Sequence, residues 1–249
     1  MKIAIIVTEP SISDIPAFNA LYINFASLYG LENVETTLFN AVGYEWPENP
    51  ADYDGYLLTG SSANSYDQDD WILQLKRNLV ELDRLEKKIC GICFGHQIVA
   101  EALGGKVEKN PKGWELGQID VPLTSEGQEF FGDFDIADRQ SITILQIHQD
   151  IVTRVPPGMT VLASNDICKI QSLCKRSTTS GDAGASPSSR YHIITFQGHP
   201  EFTPSHLIDL IHNEISHVDE QVRQKAIATI KTNPDQQMFA QVINKFFSQ

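Results

Sequence analysis

Residues 88–97, KICGICFGHQ, decide the fold: an apolar, strand-like approach runs into a Gly-Ile-Cys-Phe-Gly turn and continues at helical spacing through Ile98, Ala102 and Leu103. Gly91 and Gly95 flank Cys93 symmetrically, and glycine tolerates a strained turn or the close approach of neighbouring backbone. The pattern places Cys93 at the tip of a strand-to-helix corner. The serine of a G-x-S-x-G elbow occupies the same kind of corner, where the turn exposes the nucleophile and the following amide points at a developing oxyanion. Here that amide belongs to Phe94. A thiol at a helix N-terminus also meets the positive end of the dipole, which favours the thiolate, the form that attacks.

Upstream, residues 1–8, MKIAIIVT, form an apolar run rich in β-branched side chains, as in a strand buried on both faces of a parallel sheet. Residues 11–16 read as a loop, after which Phe18, Leu21, Tyr22, Phe25 and Leu28 keep helical spacing until Gly30. Residues 34–39 and 53–59 read as two more strands, the second stopping at Gly60-Ser61-Ser62. Residues 69–86 predict one amphipathic helix, with Ile72, Leu75, Leu79, Leu82 and Leu85 on one face and Lys76, Arg77 and Arg84 on the other. Its acidic start and basic end suit the helix dipole. This alternation predicts a three-layer α/β fold around a doubly wound sheet, with ligands outside the carboxyl ends of the strands. Gly60 and Cys93 both fall at such ends.

Beyond Gly104 the pattern changes to short strands at 106–109, 116–122, 142–147, 160–164, 167–174 and 191–196, read as an antiparallel extension of the sheet and hairpins leading back to the active side. Residues 177–190, STTSGDAGASPSSR, are small and polar and cannot bury enough apolar surface to order themselves. They read as a flexible loop at a hairpin tip, with a lid over the site as the alternative. Residues 203–249 carry helical patterns at 207–215, 222–230 and 239–247, broken at Asn233-Pro234, and are expected to pack on a single domain spanning 1–249.

Composition narrows the function classes. A net charge of -13 with no basic cluster argues against a nucleic-acid or anionic-membrane surface. An apolar share of 41% suits an ordinary globular core. No run approaches the length of a membrane span, and the N-terminus enters a strand-like segment directly, so a cytoplasmic protein is expected. Cys90, Cys93, Cys168 and Cys174 do not make a secreted disulfide pattern, which agrees with a reducing compartment.

Gly91-Ile-Cys93-Phe-Gly95-His-Gln97 resembles the nucleophile motif of class-I, triad-type glutamine amidotransferases: glycine, any, cysteine, any, glycine, any, glutamine. Far downstream, Phe196-Gln197-Gly198-His199-Pro200-Glu201 resembles the family's His-Pro-Glu element. A softer likeness to stand-alone members lies at Asn110-Pro-Lys-Gly-Trp-Glu-Leu-Gly117. The resemblance implies a mixed, flavodoxin-like sheet and a Cys93–His199–Glu201 triad, with Cys93 forming a γ-glutamyl thioester, His199 moving the proton and Glu201 orienting the imidazole. It assigns the oxyanion hole to the amides of Gly60 and Phe94 and makes Gln97 a substrate-contacting or site-supporting residue. Gly60 also stands on its own, since glycine at a strand end admits a ligand close to the backbone. Ser61 is either a polar contact to substrate or a turn serine. His148, near Asp150, resembles a strand-end histidine facing the donor pocket, and serves either substrate or structural hydrogen bonding.

The reaction implied is hydrolysis of a γ-glutamyl amide, in glutamine or in a γ-glutamyl peptide or conjugate, by a cysteine amidohydrolase acting on a small molecule. An alternative is the glutaminase subunit of a two-chain amidotransferase that feeds ammonia to a separate synthetase. A further rival is a non-hydrolytic or redox protein that uses Cys90 and Cys93 as a C-x-x-C pair. That rival leaves Gly-His-Gln and His-Pro-Glu unexplained. No second C-x-x-C, paired histidines, phosphate loop or dinucleotide fingerprint accompanies the pair, so neither metal nor cofactor is expected.

Overall fold

The structure is a computed structural model, and residues 1–10, 34–178, 191–232 and 235–248 are described. The loop expected at 11–16, the helix expected over 18–28, most of the polar segment 177–190 and the Asn233-Pro234 break lie outside the described residues.

The described strands are β1 (Lys2–Val7), β2 (Glu35–Asn40), β3 (Gly55–Leu58), β4 (Lys88–Ile92), β5 (Lys106–Lys109), β6 (Glu115–Pro122), β7 (Ser141–His148), β8 (Asp150–Arg154), β9 (Met159–Ala163), β10 (Ser172–Arg176) and β11 (Tyr191–Phe196). The described helices are α1 (Asp70–Arg84), α2 (Phe94–Ala102), α3 (Ser125–Asp133), α4 (Pro204–Asn213), α5 (Glu220–Thr229) and α6 (Gln236–Phe247). The main sheet runs β2-β1-β3-β4-β11-β10-β9. Its first five strands are parallel, and β10 runs antiparallel to both β11 and β9. The five parallel strands follow the flavodoxin-like order, so β3, β4 and β11 end side by side at one rim.

Alternation along each strand divides the core between the two faces of the sheet. Tyr56, Leu58 and Ile89 meet α1 and α2 through Ile72, Leu79, Phe94 and Ile98. Leu57, Ile92 and Phe196 turn the other way, toward Phe130 of α3 and Phe239, Ile243 and Phe246 of α6. Two ribbons stand apart from the sheet, β5 with β8 and β6 with β7. The β6–β7 ribbon has its own small core, in which Leu116 and Leu145 pack with Leu207 and Ile211 of α4 and with Ala226 and Ile230 beside α5.

Several expectations are refined by packing. Helix α1 stops at Arg84, leaving Leu85 outside the buried face and 42% exposed. The strand expected from 167 begins only at Ser172, because the Asn165 side chain accepts from the amides of Ile167 (2.9 Å) and Cys168 (2.7 Å) and bends that stretch into a turn. Helix α3 and strand β8 were not expected. Gly127 and Gly132 mask α3 by propensity, yet Thr124 caps it by accepting from the Gly127 amide at 2.9 Å, and Phe130 and Phe131 bury one side.

Candidate active site

Strand β4 delivers Cys93 into a backbone conformation of φ 52° and ψ -104°. Positive φ is uncommon for a residue with a side chain and persists only where surroundings over-determine it. Three hydrogen bonds do so: Cys93 N to Phe196 O at 2.8 Å, Gly95 N to Thr59 O at 3.1 Å, and Gln97 N to Cys93 O at 3.0 Å. The flanking glycines let these chains approach. A β-carbon at Gly91 would lie 2.6 Å from Gly95 O, and one at Gly95 would lie 2.7 Å from Leu58 O. The corner therefore requires both glycines, for close packing of helix on sheet.

Strand β11 brings up the second half of the site. Immediately after it, His199 N donates to Leu145 O of β7 at 2.8 Å, so the β6–β7 ribbon holds the histidine's backbone. Its Nδ1 pairs with Glu201 Oε1 at 2.7 Å, and its ring stacks on Phe202 with centroids 4.0 Å apart and planes 11° from parallel. Glu201 Oε2 is buried without a hydrogen-bond partner, while the imidazole interacts with Cys93 as well as with Glu201. Burial would depress the imidazolium, but the charges of Glu201 and Cys93 outweigh it and hold the His199 pKa up at about 10.

Gly60, at the end of β3, closes the triangle: a β-carbon there would lie 3.0 Å from His199 Cε1 and 3.7 Å from Cys93 Cβ. Its backbone thus lies against both side chains, while its carbonyl accepts from Thr8 Oγ1 at 3.0 Å. Phe94 begins α2, where the first amides lack intrahelical acceptors. Its ring is buried and stacked on Trp71. Three adjacent parallel strands thus bring Cys93, His199, Glu201, Gly60 and Phe94 to one rim, although Cys93 and Glu201 are far apart in sequence.

Known proteins resemble this chain in sequence and in fold. Residues 31–218 match the family model described as glutamine amidotransferase class-I. This chain belongs to that family. Gamma-glutamyl peptidase 3 of Arabidopsis thaliana is 30% identical over 230 residues, 89% of this chain and 86% of the relative. Gamma-glutamyl peptidase 2 of the same plant is 31% identical over 228 residues, 89% of this chain and 85% of the relative. A crystal structure of a glutamine amidotransferase from Thermotoga maritima superposes with a TM-score of 0.72 at 16% identity, covering 99% of this chain and 98% of that one.

Within this glutamine amidotransferase fold, the remaining sequence candidates are placed differently. Gln97 is buried and donates to Asp150 O at 3.0 Å and to Gln197 Oε1 at 3.3 Å, which is a supporting position. Ser61 Oγ accepts from the Ala63 amide at 3.1 Å, as a turn serine does. His148 hydrogen-bonds within the protein, Nδ1 meeting Asp150 O at 3.1 Å and Nε2 meeting Glu115 Oε2 at 2.9 Å. Cys90 is fully buried and free, and burial pushes its thiol far up, which is a poor setting for a redox partner of Cys93. Among the described residues no helix is long and apolar enough to cross a membrane.

Sequence reasoning passed over Gln197, whose Nε2 lies 3.8 Å from Cys93 Sγ. It stands just past the end of β11, in the bend that leads to His199. It also passed over the buried carboxylate Glu115, which accepts from His148, Asn165 (2.5 Å) and Gln171 (2.6 Å). Burial alone would raise Glu115, but the His148 hydrogen bond and charge, with the two amides, hold it below the usual carboxylate range. Those partners lie 33 to 56 residues away, beyond the reach of any local pattern.

Proposed function

We propose that this protein is a cysteine amidohydrolase that opens γ-glutamyl amides through a γ-glutamyl thioester on Cys93. The observation that carries the reading is the meeting of a strained Cys93 with the buried His199–Glu201 pair across the backbone of Gly60. His199 takes the thiol proton, and Cys93 Sγ attacks the γ-carbonyl carbon while the carbonyl electrons move onto oxygen. The amides of Phe94 and Gly60 receive that oxyanion; one such donor contributes about 3 kcal/mol of transition-state stabilisation. Collapse expels the amine, which takes the proton from His199. Water then attacks the thioester with His199 again accepting the proton, and glutamate leaves as the thiol is restored. Glu201 holds the imidazole through Nδ1 and stabilises its charged form.

The family supports the γ-glutamyl acyl half of the substrate, and the relatives bear on the amine half. The names of the Arabidopsis relatives, at 30% and 31% identity over 89% of this chain, support a γ-glutamyl peptide or conjugate as donor. The test is a mass-spectrometric screen of the protein and its Cys93→Ala variant against glutamine, glutathione and glutathione conjugates, following glutamate and the released amine. Turnover of a γ-glutamyl peptide that disappears in the variant is the expected result. Turnover of glutamine alone, stimulated by a separate synthetase, would replace it with the two-chain reading. Failure to turn over any donor, with no Cys93 adduct from an electrophilic glutamine analogue, would sink the hydrolase reading.

A further inference from the structure

Behind the triad lies a relay of amide groups that ends on the reacting sulfur. The Asp150 carbonyl can only accept a hydrogen bond, so the Gln97 group 3.0 Å from it is the amide nitrogen. That nitrogen also faces Gln197 at 3.3 Å, which requires the Gln197 oxygen there. The Gln197 nitrogen is then left pointing at Cys93 Sγ, 3.8 Å away. Gln197 is 0% exposed, and its backbone amide is tied to Gln171 O at 2.9 Å, so the side chain is aimed from a braced position. One backbone carbonyl thereby sets the orientation of two side-chain amides in series.

We propose that Gln197 is a positioning residue for the nucleophile: its amide N–H donates to the Cys93 sulfur, favours the thiolate and holds it toward the substrate carbonyl. The inference rests on the reading of Cys93 as the nucleophile and adds a donor to it. A hydrogen bond to a charged acceptor is stronger than one to a neutral acceptor, so the contact strengthens as the thiol loses its proton. The other groups at the sulfur are His199, with Glu201 on the far side of its ring, and the N-terminus of α2; Asp150 stands behind Gln97. Gln197→Met also removes the acceptor for Gln97 Nε2 whereas Gln197→Glu keeps one, so the two variants together separate the donor from the relay.

The experiment measures the rate of Cys93 alkylation by iodoacetamide against pH, located by peptide mapping, in the full-length protein, Gln197→Met and Gln197→Glu, with circular dichroism confirming the fold of each. Methionine keeps the length and removes the donor; glutamate keeps the shape and faces the thiolate with an acceptor. The alkylation profile should move about one unit to the alkaline side in Gln197→Met, a roughly tenfold slower rate on its rising limb. Gln197→Glu should slow it further, and both should recover the wild-type rate at alkaline pH. Should one variant fail to fold, the other decides. A profile that stays in place in a folded variant, including one lowered equally at every pH, overturns the role of Gln197 and leaves the nucleophile assignment standing. Absence of Cys93 alkylation in the wild type overturns both.

Discussion

The elbow at Cys93 and the β6–β7 ribbon reach the same histidine from two directions, and they are built by different physics. The elbow is a backbone device: two glycines let helix α2 press onto β3 and β4, with contacts that would fall to 2.6 and 2.7 Å if either carried a β-carbon. The ribbon is a side-chain device: Glu115, His148, Gln171 and Asn165 satisfy one another out of water, and the same ribbon holds the backbone of His199. The elbow's demands concern neighbours a few residues apart. Those of the ribbon join segments that meet only after folding. Strain can be stored at the first because the second keeps its partner in place.

The comparison can be broken first at the chemistry. Cys93→Ala should lower γ-glutamyl turnover by about 10⁴-fold or more while leaving the unfolding midpoint close to wild type, since the proposed reaction takes its nucleophile from the elbow and none from the ribbon. The measurement is glutamate release alongside urea denaturation. Appreciable residual turnover would move the reaction away from the elbow.

The ribbon is broken by Glu115→Ala. Removing a buried carboxylate that three side chains share leaves their donors unpaired, and a loss of about 3–5 kcal/mol is expected. A shift of the urea midpoint at unchanged slope reads it. A loss well under 1 kcal/mol would mean that water replaces the carboxylate and that the ribbon is not held by its polar interior.

Gly91→Ala should cost less, about 2 kcal/mol, because α2 must move away from β4 to admit a methyl group. The movement should also slow Cys93 alkylation, linking elbow packing to reactivity. An alanine variant as stable and as reactive as wild type would show that the glycine is not required there.

The smallest effect is on pH dependence. With its folded pKa depressed, Glu115 contributes stability that is fully present above the usual carboxylate range and is lost as pH falls through the lowered folded value. Asp83 behaves alike: burial opposes its charge, but bonds from His192 and Lys175 outweigh that and hold it low. Glu115→Gln should flatten the acid limb of the stability profile and leave its neutral-to-alkaline part with the wild-type slope. An unchanged acid limb would assign the titration to other carboxylates.

Much of the fold was legible because its signals are local. The apolar runs of β1, β3 and β4 and the periodicity of α1 follow from burial on a sheet, and the glycine spacing around Cys93 from one turn. Helix α3 escaped notice because Gly127 and Gly132 weaken its propensity, and the packing of Phe130 and Phe131 makes up the difference. Strand β8 is short and gains its identity only by pairing with β5. His148 carried a suggestive position in sequence, yet its surroundings turned it inward to Glu115 and the Asp150 carbonyl.

The sequence by itself determined the parallel α/β scaffold and the strand-to-helix corner at Cys93, because hydrophobic periodicity and glycine placement act over a few residues. Tertiary structure alone decided the rest: that β3, β4 and β11 end side by side, that His199 is braced by Leu145, and that Gln197 faces the sulfur. These are matters of which buried polar groups find one another across the chain. A buried donor must be satisfied, but only the assembled fold says by whom.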